Sequence, residues 1–180
     1  MFNYIKNLSM SAISKIKAVR RSDLDSYYLR EIVRSGVIRK EKTALVLRHL
    51  NNKIDLNTKG KALTVSEKKD LGINTRLKIT RELLSIFNDS GRTFSNPKEV
   101  LSSIGMRAGF ARSRDQSIAS LQTANIRNYE VVGCRDERSC AWCKSMEGKQ
   151  LPVTQSINRL IEANCTCESH CRLVAAAVIA

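Results

Sequence analysis

Hydrophobic positions in the first half of the chain recur at helical spacing. Phe2, Ile5, Leu8, Ile13 and Ile16 predict an amphipathic helix over residues 2–19, with lysines on its other face. Ser22 or Asp23 caps a second predicted helix that runs to about Arg34, buries Leu24, Tyr27, Tyr28, Ile32 and Val33, and is stopped by Gly36. A third is expected over about 40–54 through Leu45, Leu47, Leu50 and Ile54; His49 lies within it, far from any cysteine, and reads as structural or exposed. The stretch NTKGKALTVSEKKDLGIN reads as a loop with a short helix, because Thr64 and Glu67 have capping-box spacing. Leu77, Leu83, Leu84, Ile86 and Phe87 predict a helix over 75–88. Asn96, Pro97 and Glu99 then form a strong start signal for a helical stretch that carries Phe110, Ile118, Leu121 and Ile126, with arginines between.

After Asn128 the pattern changes. Tyr129, Val131 and Val132 are strand formers, MEGKQL reads as a turn flanked by extended segments, VTQSINRLIEAN as a short helix, and RLVAAAVIA as a closing strand. The fold class expected is therefore α+β and mainly α: extended basic N-terminal helices followed by a small zinc-stapled α/β module with short antiparallel strands. Three segments are expected: a basic helical region at 1–74, an arginine-rich helical segment at 75–128, and a cysteine-rich module at 129–180.

Charge is as uneven as the hydrophobic pattern. Residues 1–100 hold 21 Lys and Arg against 10 Asp and Glu, and residues 101–180 hold 10 against 7, for a net charge of +14. Such an excess favours anionic partners such as nucleic acid, through phosphate neutralisation and counterion release. No apolar run approaches the roughly twenty residues that span a bilayer, so no membrane partner is expected. Lys6, Asn7 and Lys15 interrupt the N-terminal stretch, which lacks the apolar centre of a secretion signal. A reducing cytoplasm is the expected compartment, and it favours metal ligation over disulfides.

All six cysteines lie between Cys134 and Cys171. Cys140 and Cys143 have the two-residue spacing whose thiolates converge on one ion, and some twenty residues later Cys165, Cys167, His170 and Cys171 offer a second pair. Cys167 and Cys171, at i and i+4, are one choice; Cys165 with His170 or Cys171 is the other. Cys134 is the weakest ligand candidate. A catalytic ion would need an open position and a base, for which Glu137 or Glu168 are the nominees, but no His-Glu pair accompanies them and sulfur-rich ligation disperses the ion's charge.

The stretch YEVVGCRDERSCAWCKSMEGKQL, followed by Cys-x3-Cys-Arg, resembles the C-terminal signature of the phage head-morphogenesis family, the Mu F-like minor head proteins. The resemblance covers about residues 75–173 and is specific at Asp136, Arg138, Cys140, Cys143, Gly148, Cys171 and Arg172. Together with the spacing, the expected ligands of a structural Zn2+ are Cys140, Cys143, Cys167 and Cys171, with Cys165 and His170 as alternates. The family has a proline-flanked histidine before its Cys-Arg element, where this chain has CTCESHCR with no proline, so Cys167 is the expected replacement and the third and fourth ligands stay open. The resemblance implies, further, a non-enzymatic virion component without the appended domains of some relatives. Such a protein is in the host cytoplasm during assembly and then in the head, docked on the portal protein and capsid interior. Packaged double-stranded DNA is a further expected partner, and Arg107, Arg112, Arg114 and Arg127 are the candidate phosphate or acidic-surface contacts. A zinc-binding regulator that recognises nucleic acid and a zinc hydrolase are the competing readings.

Overall fold

The computed structural model describes residues 10–90 and 95–178, with side chains from residue 23 onward. In chain order the elements are α1 (Met10–Ser35), a 3-10 turn (Lys40–Lys42), α2 (Thr43–Leu50), α3 (Val65–Asp70), α4 (Arg81–Ser85), α5 (Pro97–Thr123), β1 (Asn128–Val132), α6 (Ala141–Met146), β2 (Gln150–Pro152), α7 (Ile157–Asn164) and β3 (Val174–Ala177). The mainly helical α+β class expected from the pattern is the class observed. No helix among the described residues is long and apolar enough to cross a membrane.

Local rules hold where the signal is local. Thr64 accepts from the Glu67 amide while the Glu67 carboxylate accepts from the Thr64 amide, a complete capping box at the start of α3. Gly36 has φ +65, the left-handed conformation that favours glycine just past a helix end, and it terminates α1. Pro97 opens α5 as expected, although the Asn96 side chain makes no capping bond there.

Three expected helices differ. No break separates a helix over 2–19 from one beginning near Ser22: α1 is continuous from Met10, because neither Gly nor Pro interrupts it. Asp23, expected as a cap, instead accepts from the Arg112 guanidinium of α5 at 2.9 Å. Residues 2–9 and the side chains of Ile13 and Ile16 lie outside the described residues. The helix expected over 75–88 shrinks to α4, since Leu63 and Arg81 donate to Ile79 and Lys61 across an Ala62–Thr80 bridge, which holds that segment extended. Thr80 then caps α4 through its hydroxyl, which accepts from Leu83 at 3.1 Å. The segment expected as extended before the MEGKQL turn is α6, and Gly148, φ +78, turns the chain into β2.

Two hydrophobic cores result. The first gathers Ile32, Ile38, Val46, Leu56, Ile79, Leu83, Phe87, Leu101 and their neighbours from α1, α2, α4 and the start of α5. The second gathers Ile118, Tyr129, Val131, Met146, Ile157, Ile161, Leu173 and the buried Cys143 and Cys171. Helix α5 runs from one to the other, so the segment expected at 75–128 divides between them. The sheet of the second core has the order β2-β1-β3, all antiparallel, with Tyr129 opposite Leu151 and Val131 opposite Ala175. Tyr129 and Val131 share the buried face at period two, and Asn128 and Val132 are exposed.

Candidate metal centre

Two short helices bring the cysteines together. Cys140 is the residue before α6 and Cys143 lies in its first turn, so a single helical turn aims both thiols the same way. Cys165 ends α7, donating its amide to Ile161 O at 2.9 Å, and the chain then turns back to place Cys167 beside it. The Cys167 amide points at Cys165 Sγ (3.5 Å) and the Cys140 amide at Cys167 Sγ (3.4 Å). Backbone donors from both halves thus face the sulfurs of the second pair.

The sulfurs of Cys140, Cys143, Cys165 and Cys167 all lie within 4.8 Å of one another. Cys143 Sγ is 3.5 Å from Cys165 Sγ and 3.7 Å from Cys167 Sγ. Four thiolates arranged tetrahedrally at about 2.3 Å from an ion would be about 3.8 Å apart, so the group has the dimensions of a metal site. These four cysteines could hold a metal ion. Cys171, expected with Cys167 from their i, i+4 spacing, is adjacent but outside the mutual group: its sulfur is 3.5 Å from Cys143 Sγ. Cys165, the alternate, occupies the fourth corner. His170 is turned away, stacked on Phe110 with ring centroids 5.0 Å apart and Nδ1 2.9 Å from Ser169 Oγ. Cys134 is exposed and outside the group.

Electrostatics favour a cation here. Burial pushes the Cys143, Cys165 and Cys167 thiols up, and the charge of Cys171 pushes Cys143 and Cys165 further. At Cys140 burial again acts upward, but the amides of Cys143 and Thr166 outweigh it and lower the thiol to about 6. Packed thiols therefore resist ionising together unless a positive ion shares their field.

A clamp lies beside the group, along the groove that Ser139 and Arg172 share with Cys140 and Cys167. The Arg172 guanidinium grips both carboxylate oxygens of Asp136, NH1 reaching Oδ2 at 2.7 Å, and donates to Ser139 Oγ at 3.1 Å. Ser139 Oγ in turn donates to Cys134 O, and Arg138 reaches Asp136 Oδ2 at 3.3 Å. Hydrogen bonding from Arg172 holds the Asp136 carboxyl well below the usual carboxylate range. Ligand loops before α6 and after α7 are joined by this two-point pair.

Helix α5 carries a second set of braces. Arg107 donates to Ser169 O at 2.6 Å and Glu168 O at 2.7 Å, fixing the loop between Cys167 and Cys171. Arg114, 4% exposed, donates to Asn158 Oδ1 at 2.6 Å and to the carbonyls of Cys171 (3.3 Å) and Leu173 (3.1 Å). Asn158 passes the chain of bonds to Asp115, which also accepts from Tyr27 of α1 at 2.8 Å. Arg114 thus has no surface to offer a phosphate, Arg107 is committed to the ligand loop and Arg112 pairs with Asp23; of the four arginines named from sequence, Arg127 alone is exposed. Asn158 and Glu31 are buried polar residues that periodicity does not single out; an asparagine beside Ile157 on the apolar face of α7 was the available signal. Glu137 and Glu168, the nominated bases, are exposed on the rim of an open groove past Cys140 and Cys167.

No family model, no curated protein and no solved structure matches the chain.

Proposed function

We propose that this chain is a phage minor head protein, a non-enzymatic component that docks on the portal and capsid interior through a zinc-stapled C-terminal unit. The observation that supports this most is the convergence of Asp136 and Arg172, which the resemblance marks as specific, in one two-point pair beside the four-thiol group. Zn2+ is the ion that best suits four thiolates at tetrahedral spacing in a reducing compartment. In this reading the ion and the clamp make a rigid docking unit, and α5 transmits that rigidity to the basic half. Particles assembled when the chain is produced with the other head genes of its genome test the assignment. Mass spectrometry of purified heads should find it at low copy, and heads assembled without it should package or deliver DNA poorly. Its absence from complete, fully infectious heads would defeat the assignment.

Contact with DNA moves, in this reading, from the α5 arginines to the first half. Arg48, Lys53, Lys59, Lys61, Arg76 and Lys78 are all exposed there. Binding that is blind to sequence and weakens steeply with salt is the expected result. The same basic exposure also favours a second reading, a zinc-binding regulator, and sequence-selective binding in a competition assay would establish that one instead.

A further inference from the structure

One thiol stands beside the four-thiol group without belonging to it. Cys171 is 6% exposed, and its sulfur lies 3.5 Å from Cys143 Sγ. It also lines a small cavity of about 70 Å3, together with Glu31 of α1 and with Arg34, Arg107 and Arg114. Arg34 and Glu162 in the same lining are exposed, so the cavity reaches the surface there. Glu31 is 3% exposed; its Oε1 is 3.8 Å from the Arg34 guanidinium, and its Oε2 is enclosed with no hydrogen-bond partner among the described residues. An enclosed acceptor without a donor is costly, and a small ligand that brings its own O–H removes that cost. Guanidinium groups around the cavity favour negative charge on a reacting sulfur and on a departing oxygen.

We propose that Cys171 is a peroxide-reactive thiol, and that Cys143 resolves its oxidised form into a Cys143–Cys171 disulfide. Hydrogen peroxide suits the cavity, being small and uncharged and offering an O–H to Glu31 Oε2. The Cys171 sulfur attacks one peroxide oxygen, the O–O bond breaks, and the released hydroxide takes up the thiol's proton and leaves as water. Cys143, whose sulfur is 3.5 Å away, then attacks the sulfenic sulfur; the S–S bond forms, the S–O bond breaks and a second water leaves. The pair of thiols loses two electrons and two protons, and the peroxide is reduced to water. Cys165 and Cys167 also line the cavity, but both belong to the four-thiol group, whereas Cys171 stands outside it. Drawing Cys143 into the disulfide removes one corner of that group, so oxidation releases the ion; this consequence alone rests on the metal reading.

The full-length chain is reduced, supplied with Zn2+ and treated briefly with hydrogen peroxide, and peptide mapping locates the first bond formed. A Cys143–Cys171 disulfide is expected, preceded by a sulfenic acid on Cys171 that a cyclic dione captures. Cys171→Ser should abolish that bond and slow peroxide consumption by about tenfold or more. Glu31→Gln should slow it by about tenfold, the loss of one charge-assisted hydrogen bond, while alkylation of Cys171 by iodoacetamide keeps its rate. A chromophoric chelator should detect release of the ion in step with the disulfide. First oxidation of the wild type at Cys134 or Cys140 would overturn the proposal whatever the variants do, and so would consumption of peroxide by Cys171→Ser at the wild-type rate. A disulfide formed with the ion retained would overturn the release. A chain that binds no ion would defeat the metal reading and leave the disulfide to be scored on its own.

Discussion

The two cores of this protein are assembled by different means. The N-terminal core is aliphatic apart from Phe87, contains no cysteine, and is framed by short-range devices such as the Thr64–Glu67 box and the Thr80 cap. The C-terminal core has two buried cysteines among its members, three more packed against it, and a sheet whose central strand is five residues long. Its polar framework is long-range: Arg114 to Asn158 and Leu173, Asp136 to Arg172, Arg107 to Ser169. A unit this small buries too little apolar surface to be secure alone, and natural units of such size commonly add a metal or other staple. One half can rely on burial; the other adds charge pairs and a four-thiol group that must converge from separate segments.

If the four thiols hold an ion, as proposed, its removal should separate the halves most sharply. A structural thiolate-bound ion contributes on the order of 10 kcal/mol to folding. Chelation under reducing conditions should therefore abolish hydrogen-exchange protection in β1, α6 and β3 while the amides of α2 and α4 keep theirs. Cys143→Ser should have the same effect without chelator, because Cys143 is the thiol within 3.7 Å of three others. Loss of protection across both halves together would mean that α5 makes them one cooperative unit, and the contrast between them would fail.

Two substitutions probe the cores individually. Leu83 is wholly buried among aliphatic neighbours, and Leu83→Ala should cost about 2 to 5 kcal/mol with metal affinity unchanged. Arg114→Met retains the apolar stem but strands Asn158 Oδ1 and the Cys171 and Leu173 carbonyls, a loss of about 3 to 5 kcal/mol. Here the metal should be held more weakly as well, since the Cys171 loop is no longer fixed. Denaturant melts paired with a competition titration against a chelator distinguish the two, and equal metal affinity in both variants would remove Arg114 from the site's support.

The same division explains what could be read from the sequence. Capping at Thr64 and Glu67, the start at Pro97, the strand at Tyr129 and Val131 and the Cys140–Cys143 turn are each written within a few residues, and each is present in the structure. Thr80 was hidden inside an apparent helical repeat because its effect depends on pairing with Ala62, eighteen positions earlier. Arg107 and Arg114 looked like part of a surface stripe because their acceptors lie 44 to 62 residues further on, and the partner of Arg112 lies 89 residues earlier. The second half of the ligand set is the hardest case. Cys165, Cys167, His170 and Cys171 fall within seven residues, and spacing alone does not say which donors a turn will bring to Cys143.

The smallest expected effect lies in the clamp, and it carries a pH signature. Hydrogen bonding from Arg172 lowers the Asp136 carboxyl, partial burial opposes that, and the charges of Arg172 and Arg138 lower it further. A carboxyl depressed in the fold contributes stability that is complete above its unfolded value of about 3.9 and fades as pH falls below it toward the folded value. The Tm difference between the wild type and Asp136→Asn should thus be constant above about pH 5 and narrow as pH falls through 4. Glu67 provides the control in the other half: the Thr64 amide and hydroxyl lower its carboxyl too, so Glu67→Gln should show a similar narrowing. The difference between the halves would then be in the ion, because Asp136→Asn should speed metal release to a chelator while Glu67→Gln leaves that rate alone. If both variants release metal at the wild-type rate, the clamp is a surface ion pair with no part in closing the site.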